Sequence, residues 1–153
     1  NKIMAKYFTG KKYGHDRGLS CAFRQWRATH SHCSKLHGYS IAVEILFECE
    51  KLDDRNWGVD YGGMDTLKIW LETMFDHKTL VAKDDPEIEW YREGQKRGVL
   101  DIVEIENTGC ERMAEMIYNK VEEWVIGNDL SPRVKPYKVT VWEHEANSAS
   151  YQK

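Results

Sequence analysis

Residues 40–49 alternate along the chain. Ile41, Val43, Ile45 and Phe47 fall on one face, with Ala42, Glu44, Leu46 and Glu48 on the other. A two-residue period of this kind predicts a strand with one face in the core. Residues 18–26 alternate less strictly and predict a second strand. The polar stretch 27–35 between them, which carries His30 and His32, reads as a loop. A charged turn at 51–56 leads into Trp57-Gly58-Val59-Asp60-Tyr61, and the Gly62-Gly63 pair then permits a sharp change of direction. The period changes at residue 63. Met64, Leu67, Leu71, Met74 and Phe75 recur at helical spacing and predict a helix over 63–75. Residues 81–98 are charged and contain Pro86, Gly94 and Gly98, so they read as an excursion that is partly helical. A short strand is expected over 99–105. Met113, Ile117, Val121 and Trp124 predict a second amphipathic helix over 110–125, and Gly127-Asn128 suits its end. After the turn at Ser131-Pro132, residues 134–142 read as a strand and 149–151 as one more. Strands, then helices, then strands imply an α+β architecture: an antiparallel β-sheet with two main helices packed on one face.

The chain has 153 residues, 41% of them hydrophobic, enough for one domain with a core of its own, expected to span 1–153. A formal net charge of −3 argues against a nucleic-acid-binding surface, which carries a clustered basic excess. No apolar run approaches the roughly 20 residues that cross a bilayer. The start, NKIMAKYFTGKK, lacks the apolar core of a signal peptide, so a cytoplasmic location without membrane association is expected. Cys21, Cys33, Cys49 and Cys110 form no Cys-x-x-Cys pair. In a reducing compartment that scatter reads as free thiols, with Cys21, Cys49 and Cys110 packed as small hydrophobes.

Three places carry candidate chemistry. Cys33 stands among Arg27, His30, His32, Lys35 and His37, cationic surroundings of the kind that favour a reactive thiolate. The plain alternative is an inert loop thiol. Asp76 and His77 are adjacent at a predicted helix end, where a carboxylate can hold an imidazole in one tautomer. The alternative there is a histidine that caps the helix near its dipole. Glu143 ends a predicted strand, where its two oxygens can accept a pair of parallel N–H donors or simply face solvent.

Four separated segments bear a resemblance in the right order. Cys33-Ser34-Lys35-Leu36-His37-Gly38-Tyr39 is similar to the Cys-x-x-x-His-Gly-His element of the 6-pyruvoyltetrahydropterin synthase and 6-carboxytetrahydropterin synthase family. Gly58-Val59-Asp60-Tyr61 with Leu67-Lys68, and then Asp76-His77, resemble the start and end of the family's first helix. The stretch NTGCERMA, from Asn107 to Ala114, resembles the start of its second helix, with Thr108 and Gly109 in place of the family's proline and threonine. Val141-Trp142-Glu143 with Tyr151 resembles its terminal Val-x-Glu…Tyr element. The resemblance implies the tunnelling fold, in which subunits assemble into a barrel-like ring, often a hexamer built from two trimers, with active sites between subunits.

It also implies a lyase acting on a reduced pterin such as dihydroneopterin triphosphate. Cys33 would be the base, Asp76 and His77 the proton relay, and Glu143 the acceptor for the ring, facing the thiol across a protomer boundary. The family's zinc is held by three histidines. Here Phe23 and Tyr39 stand at two of those positions and only His37 remains, so no residue is assigned as a metal ligand. Zinc is expected only if His30, His32 and His37 form a relocated site. The alternative function is a metal-free protein that binds a pterin or purine-like ring, or serves in assembly, without the synthase reaction.

Overall fold

The computed structural model describes residues 5–153; the first four residues of the expected domain lie outside the described residues. Its strands form two four-stranded sheets. The first is antiparallel and contains β1 (Tyr7–Tyr13), β4 (Ala42–Cys49), β7 (Val134–His144) and β8 (Asn147–Tyr151), in the order β1-β4-β7-β8. The second contains β2 (Ser20–Phe23), β3 (His37–Ser40), β5 (Lys78–Ala82) and β6 (Ile102–Ile105), in the order β3-β2-β5-β6. Strand β2 runs antiparallel to β3 and parallel to β5, and β5 runs parallel to β6.

The alternating run 40–49 behaves as its pattern requires, since Ile41, Val43, Ile45 and Phe47 are all buried. It is nevertheless split at Ile41, so that β3 pairs in the second sheet and β4 in the first. Helix α1 (Asp65–Phe75) follows a 3-10 turn at Tyr61–Met64, entered through the Asp60 side chain, which accepts from the Gly62 N–H. Its buried residues are Leu67, Leu71 and Phe75, one helical stripe. Helix α3 (Cys110–Gly127) buries Met113, Ile117, Val121 and Trp124, and both helices close over one hydrophobic cluster with the strands.

Two strands depart from the sequence reading. Strand β1 was not expected: four of its seven residues are exposed, so neither face shows an apolar period. Strand β5 was not expected either: residues 78–80 fall in no expected element and 81–82 in the excursion at 81–98, although Thr79, Leu80, Val81 and Ala82 are all buried. The rest of that excursion holds helix α2 (Ile88–Lys96). Parallel neighbours cannot be joined by a tight hairpin and need a crossover of a dozen or more residues. Helix α2 is the crossover between parallel β5 and β6, which accounts for the length of that excursion.

Candidate active site

The pairing of β2 with β3 sets the geometry. Phe23 stands opposite His37 and Cys21 opposite Tyr39, so these four side chains share one face of the ribbon. Phe23, 1% exposed, stacks on Tyr39 with ring centroids 4.2 Å apart and planes 13° from parallel. The His37 ring lies against Tyr39 at 4.4 Å. Burial first, and then the charges of Glu143, Cys33, Cys110 and Cys21, push the Tyr39 phenol up to about 12. These groups therefore lie within electrostatic reach of its hydroxyl.

Cys33 lies in a 3-10 turn, His32–Ser34, whose N-cap Ser31 accepts the Cys33 N–H through its hydroxyl. The Cys33 carbonyl accepts the Gln25 N–H at 2.7 Å, tying the turn to the end of β2. Its side chain is partly exposed, whereas Cys21, Cys49 and Cys110 are buried and no cysteine is in a disulfide. Burial pushes the Cys21 and Cys110 thiols up to about 12, reinforced at Cys21 by Cys110 and at Cys110 by the charges of Glu143 and Glu111. They are packed as inert thiols.

Glu143 is half-buried near the end of β7, and Asn147 Nδ2 donates to its Oε1 at 3.3 Å. Its own backbone N–H meets the Cys110 thiol, which joins the strand end to the first residue of α3. That helix begins at Gly109, whose φ of +107° is one that residues with a Cβ rarely adopt, and the Gln25 side chain lies close against it. Gly109 provides no side-chain cap, so the first-turn N–H groups of α3 lack a capping partner there. Thr108 holds the junction by donating its hydroxyl to the Arg24 carbonyl at 2.6 Å. Glu143 and Cys33 of one chain thus both lie near Tyr39.

The aromatic cluster occupies the place where three imidazoles would have to converge. A phenol and a benzene ring stacked together do not make the nitrogen donor set that zinc requires. His37, the one imidazole of the cluster, is exposed and has Nδ1 2.9 Å from the Lys35 carbonyl. Among the described residues no group of three or more His, Cys, Asp or Glu side chains is gathered to hold a metal ion. His30, His32 and His37 are therefore not brought together as a relocated site. The residues present do not fit the family's zinc.

Asp76 and His77 form a pair, with His77 Nδ1 2.7 Å from Asp76 Oδ1, but they stand apart from the thiol. Asp76 caps α1 by donating its N–H to Glu72, and His77 follows in the left-handed region at φ +59°. The His77 N–H bonds to the Ser20 carbonyl at the start of β2, while Cys33 is tied to Gln25 beyond its other end. Five residues of extended chain separate the two anchor points by roughly 15 Å. The His77 side chain is 85% exposed.

Sequence reasoning missed the clamp on the thiol loop. Arg24 donates from Nε and Nη2 to the two oxygens of Asp85, at 2.9 and 2.6 Å, and from Nη1 to the Ser34 carbonyl at 3.2 Å. Asp85 is 3% exposed and lies in the turn leading to α2. Beside it Asp84 accepts from Trp26 Nε1 and Arg27 Nη2. The only sequence signal was the Asp84-Asp85-Pro86 run, read as part of a charged loop.

A profile of the family described as 6-pyruvoyl tetrahydropterin synthase matches residues 15–153. The 6-carboxy-5,6,7,8-tetrahydropterin synthase of Aquifex aeolicus is 26% identical over 123 residues, which cover 78% of this chain and 75% of that enzyme. The corresponding enzyme of Rickettsia typhi is 35% identical over 57 residues, and the chain spans only 41% of its length. An uncharacterized protein from Wolinella succinogenes superposes with a TM-score of 0.81 at 14% identity, over 97% of this chain and 98% of its own. The 6-pyruvoyl tetrahydropterin synthase of Plasmodium vivax gives 0.68 at 15% identity, over 96% and 98%. These likenesses establish the α+β tunnelling fold, and the match over residues 15–153 shows that the chain belongs to the 6-pyruvoyl tetrahydropterin synthase family.

Proposed function

We propose that the chain binds the ring of a reduced pterin through Glu143 and catalyses a lyase-type reaction on its side chain, with dihydroneopterin triphosphate as the reference substrate. The observation that carries this reading is the convergence of Cys33 and Glu143 on Tyr39 beside the uncapped start of α3. A carboxylate acceptor and backbone N–H donors suit the edge of a pterin, which presents ring N–H, amino and carbonyl groups together. Cys33, as thiolate, takes a proton from the side-chain carbon attached to the ring. The released electron pair forms a C=C bond to the ring carbon as the π pair of the adjacent C=N bond moves onto its nitrogen, which is protonated; loss of a proton from the next side-chain carbon then expels the triphosphate from the carbon beyond it.

Asp76 and His77 serve as the relay for the thiol of another copy, since their own thiol is out of reach. A homo-oligomer, arranged as two trimers, supplies that copy. Strands β1 and β8 leave both edges of the first sheet open, and open edges invite pairing between chains. No helix among the described residues is long and apolar enough to cross a membrane. Four free thiols suit a reducing cytoplasm.

The lack of a zinc donor set favours a second reading, pterin binding without turnover. One experiment separates them: purified protein is mixed with dihydroneopterin triphosphate, and both ring binding and product are followed. Binding with product formation, both lost in Glu143→Gln, supports the lyase. Binding alone supports the second reading, and no binding of any reduced pterin ends both.

A further inference from the structure

We propose that the Tyr39 hydroxyl is the hydrogen-bond donor to the oxygen on the substrate's side chain, stabilising charge there without a metal; this rests on the pterin reading above. The β2–β3 register puts the Tyr39 ring on the same face as Phe23, and the near-parallel stack at 4.2 Å holds its plane. Tyr39 is only partly exposed and is bounded by His37 on another side, which limits where its ring can swing. Strand β3, which carries Tyr39, packs against β7, which carries Glu143, and Cys21 stands opposite Tyr39 across the ribbon, so the ring lies near Glu143 and close enough to Cys33 to feel its charge. A ligand that gives its ring edge to Glu143 and a side-chain proton to Cys33 must pass its side chain by Tyr39.

The hydroxyl is also free to act. Tyr39 Oη has no hydrogen-bond partner among the described residues, and no buried polar side-chain atom there is left unpaired, so Oη is open to a ligand. Burial and the nearby Glu143 carboxylate keep it protonated, hence a donor. A fixed, partly dry donor aimed at an oxygen that gains charge is worth far more than the same group in water. Tyr39 keeps its proton throughout, so the step changes no bond on the enzyme. The cluster of rings that excludes zinc thereby holds the group that does part of the metal's electrostatic task.

The test uses the full chain and two dihydropterins that differ only in a keto oxygen on the side-chain carbon attached to the ring. Binding is followed by pterin fluorescence. The wild type favours the oxygenated ligand by about tenfold, the worth of one good hydrogen bond. In Tyr39→Phe, which keeps the stack and the melting temperature, the ratio falls to about one while the deoxygenated ligand binds as before. Where turnover is measurable, kcat falls about 10²-fold with KM little changed. The same ratio in both proteins overturns the assignment of Tyr39. A ratio or a rate that rises on adding zinc overturns its metal-free character. Failure of the wild type to bind either ligand instead overturns the pterin reading on which the assignment rests.

Discussion

Phe23, His37 and Tyr39 pack as one aromatic cluster on the β2–β3 ribbon. The Tyr39 ring centroid lies 4.2 Å from that of Phe23 and 4.4 Å from that of His37, and Phe23 stands opposite His37 across the strands, so imidazoles at positions 23 and 39 would lie beside His37. The double variant Phe23→His with Tyr39→His is expected to bind one zinc per chain, measured by metal analysis after dialysis. Its melting temperature should rise on adding zinc, because an ion that binds only the folded state stabilises it. Without metal the variant should be less stable by about 2–3 kcal/mol, from the loss of a fully buried Phe side chain. Motif spacing made these positions legible in the sequence. That rings would stack in the vacated space was not legible, because it depends on cross-strand register. His77 is a second informative residue. Its φ of +59° costs a residue with a Cβ about 1–2 kcal/mol. His77→Gly should therefore leave stability within about 1 kcal/mol, the relief of strain offsetting the greater freedom of the unfolded chain. Turnover should drop by about 10²-fold or more as the relay is lost. Thermal melts and steady-state rates on the same preparation check both halves.

At the scale of elements, the crossover segment does more than connect β5 to β6. Its Asp85 fastens to Arg24, and the same guanidinium reaches the Ser34 carbonyl next to Cys33. Burial works against the Asp85 carboxylate, but the Arg24 guanidinium and the Glu87 N–H outweigh it and hold its pKa below the usual value. A carboxylate whose pKa is depressed by folding stabilises the protein above its unfolded value, near 4. That contribution is lost as pH falls through the lower, folded value. The wild type should accordingly lose stability below about pH 4, and Asp85→Asn should lack that part of the acid dependence. At neutral pH the variant should be less stable by about 2–3 kcal/mol. That is under the cost of breaking a fully buried pair, because the Arg24 side chain is one-fifth exposed. Cys33 should also be alkylated faster in the variant, as its turn loses an anchor. Denaturation at several pH values and thiol-labelling rates decide this. The two main helices were legible because their apolar stripes are long and regular. Strand β5 was not, since a strand covered on both faces shows no alternation. Strand β1 failed for the opposite reason, having little buried on either face.

The whole molecule poses a problem of distance. The thiol turn is tied to one end of β2 and the Asp76–His77 pair to the other, roughly 15 Å away along an extended strand. No side-chain rotation closes such a gap within a packed sheet, so a reaction that needs both must draw them from two copies. A head-to-tail arrangement repeated around a closed ring gives every site one thiol and one relay. Cys33→Ala and His77→Gly should each be inactive alone, since each variant lacks one part at every site. Mixed under conditions that let subunits exchange, the two should regain activity. At equal amounts and random assortment, roughly a quarter of the sites combine an intact thiol with an intact relay, and the mixture should approach that share of wild-type turnover. Recovery should grow with exchange time and vanish when the proteins are mixed without exchange. A mixture that stays inactive after exchange, as followed by differently labelled subunits, would mean that each chain works with its own residues, and the role of Asp76 and His77 as relay would fall.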